Sequence, residues 1–212
     1  MKKTLLRATI AIMLLSFSFS SAWADKYVIY PIPHSLSMNS GSMNMTDRVN
    51  VVCESTIDRT TKERLVSILA THGMEVVFDT VEEGNASISL GTVGSGESVE
   101  TNAFDVLSLS KARIMVSKKF DRHALKVHEN GITILGEHTN AVFCALASLE
   151  QMLEQMDANA LEYVTIYDYA DQQNRGLVEG YYGYPYSVEV KKELMRYMMR
   201  HKMNTYMFGA KS

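Results

Sequence analysis

The sequence predicts an α/β protein, in which a two-layer α/β sandwich is followed by one unit of two parallel strands joined by a helix. Two observations lead to this class. Between residues 26 and 154, short β-rich runs alternate with two windows of helical hydrophobic periodicity. From residue 176 the order becomes strand, loop, helix, strand, and such a connection places its two strands side by side and parallel.

Composition is that of a globular protein rather than a disordered or fibrous one. The 212 residues are 46% hydrophobic and 21% charged, with a formal net charge of -3. A slightly acidic chain has no general attraction for phosphate backbones or anionic lipid surfaces. We therefore expect no nucleic-acid partner.

The amino-terminal segment predicts a cleavable signal peptide over residues 1–24. Lys2, Lys3 and Arg7 precede an uncharged run, and Ala22-Trp23-Ala24 has the small-x-small pattern of a cleavage site. An uncleaved membrane anchor is the less favoured alternative, because the most apolar stretch, residues 10–19, is short and contains serines. The sequence predicts a periplasmic or secreted protein that starts at Asp25 and has no stable membrane insertion after cleavage.

An exported chain with two cysteines allows one disulfide, between Cys53 and Cys144. Both cysteines lie in apolar runs, where they are equally typical of small buried side chains, so their pairing stays open. Neither has a neighbouring Cys or His at metal-ligand spacing. We predict no metal and no cofactor.

The first part of the predicted sandwich contains strands and one capped helix. A polar stretch rich in Ser, Asn, Gly and Met, residues 34–45, is predicted to be a loop. Thr60 and Glu63 have capping-box spacing and start an amphipathic helix that ends at Gly73. The strands are predicted at residues 27–30, 49–53, 74–78, 88–90 and 163–167.

A β-hairpin and a second helix complete the predicted sandwich. Residues 124–128 and 132–135 are β-rich and flank Glu129-Asn130-Gly131, whose Asn-Gly pair is typical of tight hairpin turns. Apolar residues then recur every three to four positions from Val142 to Met156. Both helices are expected to cover the same face of the sheet.

The last part predicts a strand at 176–179, a loop at 180–186, a helix capped by Ser187, and a strand at 204–208. A barrel of eight such units needs about 250 residues, so this unit would be only its beginning. The expected organisation is an α/β domain at 25–158, a strand and linker at 159–174, and an incomplete (β/α)8 (TIM) barrel at 175–212. We expect the chain to be truncated.

Ligands of parallel β/α folds bind where strands end, which directs attention to Glu179-Gly180-Tyr181-Tyr182-Gly183 and Gly209-Ala210-Lys211. Tyrosine rings offer an apolar platform with a hydroxyl edge, and lysine offers donors, a combination suited to a sugar. Alternatively, the tyrosines pack a domain junction and Lys211 is solvated surface. Asp168 and Asp171 look like a catalytic carboxylate pair, but the favoured interpretation is a polar turn.

Two segments resemble glycoside hydrolase family 84, the bacterial and animal O-GlcNAcases and hyaluronidase-type β-N-acetylglucosaminidases. They are Arg175-Gly176-Leu177-Val178-Glu179-Gly180-Tyr181-Tyr182-Gly183 and Lys202-Met203-Asn204-Thr205-Tyr206. The resemblance extends upstream to residues 27–33, 130–134 and 145–153. It therefore covers nearly the whole mature chain and implies a hexosaminidase-like N-terminal domain before a catalytic TIM barrel.

The family resemblance implies hydrolysis of terminal β-linked N-acetylglucosamine from a glycan or glycoprotein. One aspartate orients the substrate's acetamido group, which forms an oxazoline, and the adjacent aspartate is general acid and base. By resemblance these aspartates lie beyond Ser212, so the isolated chain is expected to be inactive. The second hypothesis is a noncatalytic glycan-binding or interaction module.

Three sugar-binding residues are implied by the same resemblance. Gly180 matches the glycine whose carbonyl meets a sugar hydroxyl, Tyr182 matches a tyrosine of the pocket, and Lys211 matches a lysine that donates to a sugar hydroxyl. The sequence departs from the family at two aromatic positions, where Tyr181 replaces phenylalanine and Tyr186 replaces tryptophan. Ser212 stands where the family continues with acidic residues, which weakens the match at Lys211.

Overall fold

Seven strands in the described part of the chain form one mixed sheet. This computed structural model describes residues 27–110, 114–115, 118–180 and 185–209. The strands are β1 (Ser35–Asn44), β2 (Arg48–Cys53), β3 (Glu75–Phe78), β4 (Ala86–Thr92), β5 (Phe120–His128), β6 (Gly131–Gly136) and β7 (Ala160–Ala170). Their spatial order is β1-β7-β5-β6-β4-β2-β3, antiparallel from β1 to β6 and parallel from β6 to β3.

Three helices of the described ranges cover this sheet. Helices α1 (Arg59–Thr71) and α3 (Thr139–Leu153) contact each other over a core that includes Leu125 and Val127 of β5. Helix α2 (Ser98–Leu107) packs on Ala124, the neighbour of Leu125. Because successive strand residues point to opposite faces, α2 covers the face opposite α1 and α3. The predicted α/β class is confirmed, and α2 adds a cover to the second face that the sequence analysis missed.

Helix α2 was missed because its amino terminus is held by a residue distant in sequence. Its N-cap residue, Glu97, makes no side-chain capping bond. Instead, the Glu54 carboxylate accepts hydrogen bonds from the backbone N–H groups of Glu100 (2.5 Å) and Thr92 (2.7 Å). A carboxylate near a helix amino terminus accepts from backbone N–H groups that have no partner within the helix, and its negative charge interacts favourably with the helix dipole.

The start of α1 differs from the predicted capping box. Asp58 is the N-cap residue, and its carboxylate accepts from the backbone N–H of Thr61 at 2.7 Å. Glu63 instead pairs with Arg59 at 2.6 Å across one helical turn. Asp is at least as good a cap as Thr, and here its position two residues before Thr60 determines where the helix starts.

The predicted hairpin is confirmed. Strands β5 and β6 pair antiparallel, with His128 opposite Gly131. Gly131 has a φ of 135°, and a Cβ there would lie 2.3 Å from the backbone oxygen of Ser87. Only glycine therefore fits this turn beside β4.

The loop predicted at residues 34–45 is wrong, because most of it forms the edge strand β1. Leu36 and Met38 pack against the core, as does Met43. A bulge between Met38 and Ser42 lies between them and breaks the two-residue period. Backbone pairing with β7 stabilises this strand although most of its side chains are exposed.

The strand predicted at residues 27–30 is also wrong, although the segment packs against the protein. Tyr27 and Ile29 are buried, while the backbone groups of Val28 and Tyr30 bond to the amides of Gln155 and Gln151 at 2.8–2.9 Å. The two glutamines, one helical turn apart on α3 and just after it, take the place of a neighbouring strand.

The last part contains the predicted βαβ unit. Strands β8 (Gly176–Glu179) and β9 (Thr205–Phe208) are parallel and are joined through helix α4 (Val188–Arg200). Ser187 caps α4, accepting from the backbone N–H of Val190 at 3.3 Å. Strand β7, which the sequence analysis set apart with the linker, hydrogen-bonds between β1 and β5 within the large sheet.

We expect a Gly176→Ala substitution to disrupt β8–β9 pairing. A Cβ on Gly176 would lie 1.5 Å from the backbone oxygen of Thr205, which cannot move without breaking the strand pair. The unfolding free energy should fall by about 2 kcal/mol or more. Hydrogen exchange of the β9 amides would report the loss.

The matched control is Val178→Ala on the same strand, whose side chain is 72% exposed. We expect nearly unchanged amide exchange there. Equal protection of the β9 amides in Gly176→Ala and in the parent chain would contradict the close approach.

Candidate functional site

The carboxyl ends of β8 and β9 lie side by side. Glu179 is in register with Phe208, so Gly180 and Gly209 continue from adjacent strand ends, and strands in such a sheet are about 4.8 Å apart. Gly180 is exposed. In parallel β/α folds this end is the place where ligands bind.

Glu179 fixes the chain around Gly180. Its carboxylate accepts from the Tyr206 hydroxyl (2.5 Å) and from the backbone N–H of Tyr186 (2.9 Å), and the Lys191 ammonium of α4 lies 3.3 Å away. The Tyr206 hydrogen bond holds the pKa of Glu179 below its usual value. Glu179 therefore ties both ends of the loop from Gly180 to Tyr186 to the strand pair and to α4.

Only one of the three sugar-binding residues implied by the resemblance falls in the described ranges. Gly180 lies at the predicted strand end, and its contact with a sugar stays a prediction. Tyr182 and Lys211 lie outside the described residues. Their roles likewise stay predictions.

A buried cluster forms where the βαβ unit meets the large sheet, around Asp168. The turn interpretation of Asp168 is wrong, because this residue lies in β7 and is 4% exposed. Its carboxylate accepts a hydrogen bond from the Lys202 ammonium at 2.6 Å and lies 2.8 Å from Nδ1 of the His34 imidazole. Asp171, in contrast, is exposed and pairs with Lys119.

Lys202 reaches this carboxylate from the end of α4. It has a φ of 56° just after the His201 C-cap, a position where glycine is the usual residue. Its backbone oxygen also accepts from Arg175 Nε at 2.9 Å, and Arg175 pairs with Asp121 of β5 at 2.5 Å. The start of β8 and the end of α4 are thus both connected to the large sheet.

His123 is completely buried beside the ion pair. Its Nδ1 lies 2.7 Å from the backbone oxygen of Asp121, so Nδ1 donates and Nε2 is left as an acceptor without a partner. Nε2 lies 3.8 Å from Asp168. Together with the Tyr169 ring, which stacks on His34 at 3.7 Å, these groups line a cavity of about 200 Å³.

The pKa values of both His123 and Asp168 in this cluster are lowered. Burial, reinforced by the positive charge of Lys202, lowers the pKa of His123 to about 4. Burial opposes ionisation of Asp168, but Lys202, His123 and His34 outweigh it and lower that pKa to about 2. At neutral pH the cluster therefore contains neutral His123 and an Asp168–Lys202 ion pair.

Two buried polar side chains of the sheet domain bind the last carbonyl groups of α4. Arg64 of α1 donates to Met199 O at 3.0 Å, and Gln151 of α3 donates to Arg200 O at 3.2 Å. Carbonyls at a helix end lack partners within the helix, and a cation there favours its dipole. The sheet domain therefore caps α4 directly.

Cys53 and Cys144 are free in the structure. Burial raises the pKa of each thiol to about 11, which makes both poor nucleophiles. Among the described residues, no group of three or more His, Cys, Asp or Glu side chains has the geometry of a metal site. Within the same ranges, no helix has the length and hydropathy to cross a membrane.

Sequence reasoning missed the Asp168 cluster because its members are far apart along the chain. His34, His123 and Lys202 come from three separate segments, and no local spacing connects them with Asp168. The one available signal is that the β-rich run at 163–167 continues directly into Asp168. A strand extended by one residue would have moved Asp168 out of the predicted turn.

Two family models match consecutive parts of the chain. The model described as glycosyl hydrolase family 20, domain 2, matches residues 26–169, and the model described as beta-N-acetylglucosaminidase matches residues 175–212. The first match covers more than half of the chain. The two matches meet near the start of β8.

Solved structures show similarity over most of this chain. CpGH84D is 34% identical, with a TM-score of 0.81 over 88% of this chain and 31% of its own length. CpGH84B is 25% identical, with a TM-score of 0.67 over 88% and 30%. A GH20 exo-β-N-acetylglucosaminidase from Vibrio harveyi in complex with N-acetylglucosamine shares the fold, at 18% identity and a TM-score of 0.63 over 85% and 25%. The chain spans under a third of the length of these proteins.

Proposed function

Because this chain belongs to the glycosyl hydrolase family 20, domain 2, family through residues 26–169, we propose that it is the N-terminal part of a β-N-acetylglucosaminidase. The resemblance to family 84 is confirmed by the similarity to CpGH84D over 88% of the chain. The substrate we propose is a glycan or glycoprotein with a terminal β-linked N-acetylglucosamine.

One observation carries this proposal. The parallel pair β8–β9 ends with Gly180 and Gly209 side by side, in the segment that matches the beta-N-acetylglucosaminidase model. Glu179 holds the loop after Gly180 through Tyr186, Tyr206 and Lys191, so the loop starts and returns at fixed points. A sugar hydroxyl at this end would meet the Gly180 carbonyl, with Tyr182 and Lys211 as its further contacts.

The chemistry we propose is substrate-assisted retaining hydrolysis. The acetamido carbonyl of the sugar attacks its own anomeric carbon, the glycosidic bond breaks as a general acid protonates the leaving oxygen, and water then opens the oxazoline. An intramolecular nucleophile is already positioned for attack, which replaces the enzyme carboxylate of the common two-carboxylate scheme. The paired aspartates belong to a barrel strand after Ser212, and Asp168 does not substitute for them because Lys202 and His34 occupy its carboxylate.

The domain organisation and location are part of the same proposal. We propose that the noncatalytic α/β domain, which the sequence predicted at 25–158, also includes β7, because β7 lies inside its sheet. The barrel would start at 175, the residue whose guanidinium connects the two parts through Asp121. Export is supported by the basic residues and the Ala22-Trp23-Ala24 pattern of the amino terminus.

The experiment begins with the gene beyond codon 212. We expect an adjoining coding region with two consecutive aspartates after a later strand. The protein from the complete gene should release nitrophenol from 4-nitrophenyl N-acetyl-β-D-glucosaminide, while the 212-residue chain should not.

Two results would contradict the proposal. Turnover by the purified 212-residue chain would show that the aspartates are not needed. A stop codon directly after Ser212 would favour the noncatalytic glycan-binding or interaction module instead.

A further inference from the structure

We propose that the end of the sheet opposite the Asp168 cluster contains a second glycan-binding site, which takes a neutral oligosaccharide. The site is a cavity of about 520 Å³, here named the far-end groove. It is lined by Ser42, Met43, Asn44, Thr46, Gly84, Asn85, Ala86, Ser87, Glu129, Asn130, Gly131 and Tyr163.

The topology places the far-end groove away from Gly180. It lies where β1 ends and β7 begins, next to the β5–β6 turn. The Asp168 cluster lies at the other end of the same strands, where β7 ends and β5 begins. A ligand in the far-end groove therefore occupies a different site from a sugar at the barrel end.

Two tight glycine contacts shape its walls. Gly41, in the bulge of β1, has a φ of 110°, and a Cβ there would lie 2.5 Å from Cε2 of Tyr163, so the bulge makes room for this ring. Gly131 approaches the backbone of Ser87 on the other side. Bulges of this kind often redirect side chains beside binding sites.

The chemistry of the lining fits an uncharged polyhydroxyl ligand. Asn44 lies at the end of β1, Asn85 just before β4 and Asn130 in the β5–β6 turn. A side-chain amide offers both donors and an acceptor, although Nδ2 of Asn85 already donates to the Glu82 carboxylate at 3.0 Å. The Tyr163 ring is the aromatic surface against which the apolar face of a sugar can pack. Sites of this type combine an apolar wall with a few convergent polar groups.

The charge of the lining disfavours anionic ligands. Glu129 is the one Asp, Glu, Lys, Arg or His side chain among the described lining residues, so the groove offers no cation to an anionic ligand. Phosphorylated molecules and acidic peptides would meet this carboxylate without a counter-charge. A neutral glycan meets hydroxyl and amide groups instead.

The test is a ¹H–¹⁵N NMR titration of the chain with N,N′-diacetylchitobiose. We expect shifts of the side-chain amides of Asn44 and Asn130 and of the backbone amide of Gly131. Asn44→Ala and Asn130→Ala should each weaken binding about fivefold, the effect of one lost hydrogen bond. The matched control, Asn39→Ala, removes an amide of β1 that bonds to Thr165 outside the groove and should leave affinity unchanged.

The aromatic wall is tested by Tyr163→Leu, which should weaken binding several-fold. If the Tyr163→Leu protein does not fold, the two asparagine variants still test the site. Shifts confined to Gly180 and its neighbours would overturn this inference and support the proposed barrel-end site. No shifts anywhere at millimolar disaccharide would also overturn it. Equal affinity of Asn44→Ala, Asn130→Ala and Asn39→Ala would do the same.

Discussion

An Asp168→Asn chain is expected to lose about 3–5 kcal/mol of unfolding free energy, because the Lys202 ammonium would stay buried without its counter-ion. Lys202 is 7% exposed, and its Nζ lies 2.6 Å from the carboxylate it would lose. Asparagine keeps the size of the side chain and an acceptor for His34, so the charge is the main change. Urea denaturation at pH 7 measures the difference.

Asp171→Asn is the matched control. It makes the same chemical change three residues later, but Asp171 is exposed and its partner Lys119 can return to water, so we expect no resolvable change in stability. Adding Lys202→Met to Asp168→Asn should restore part of the loss, because no unpaired charge is then buried. An Asp168→Asn chain as stable as the parent would contradict the importance of the ion pair.

Acidification from pH 7 to pH 4 is expected to cost about 3 kcal/mol of stability through His123 alone. The pKa of His123 is lowered from 6.5 in the unfolded chain to about 4 in the folded one, so the unfolded state binds the proton first. Stability is therefore full above pH 6.5 and is lost as the pH falls towards 4. Below pH 3.8, the lowered pKa of Asp168 adds a second loss that continues to about pH 2.

The measurement is the unfolding free energy at several pH values for the parent and for His123→Phe. The phenylalanine ring fills the same space beside Lys202 and Asp168 but cannot be protonated, so its stability should depend less on pH between 6.5 and 4. His72→Gln, a change at the C-cap of α1, should keep the parent's pH dependence. Identical pH dependence of His123→Phe and the parent would show that His123 does not cause the loss.

The features that sequence predicted well are those defined by a few adjacent residues. Asn130-Gly131 predicts the hairpin because Gly131 adopts the positive φ that the turn needs. Ser187 predicts the start of α4 because its side chain bonds to the backbone three residues on. The helical crossover from β8 to β9 is long enough to return the chain to the same end of the sheet, which makes the two strands parallel.

The features that sequence missed depend on contacts between distant segments. The amino terminus of α2 is capped by Glu54, which precedes β4 in the sequence whereas α2 follows it. Strand β1 is stabilised by pairing with β7, more than 100 residues later, and its bulge conceals the strand period. Asp168 was predicted to be a turn residue because its partners Lys202 and His34 are distant in sequence and reach it only in the folded chain.

The same principle applies to the candidate site. Local pattern predicts that Gly180 ends β8, but not that Glu179 binds Tyr206 and Lys191, which come from β9 and α4. The far-end groove brings together three asparagines from separate segments of the chain. No spacing in the chain indicates that they meet.

The capping of α4 by Arg64 and Gln151 has a consequence for biosynthesis. Both side chains, and Asp168, lie upstream of α4, so they leave the ribosome before the helix does. Amino-terminal units generally fold first during translation. The nascent chain can thus assemble a complete receptor for the α4 carboxyl end, and the helix docks onto it as soon as Lys202 emerges.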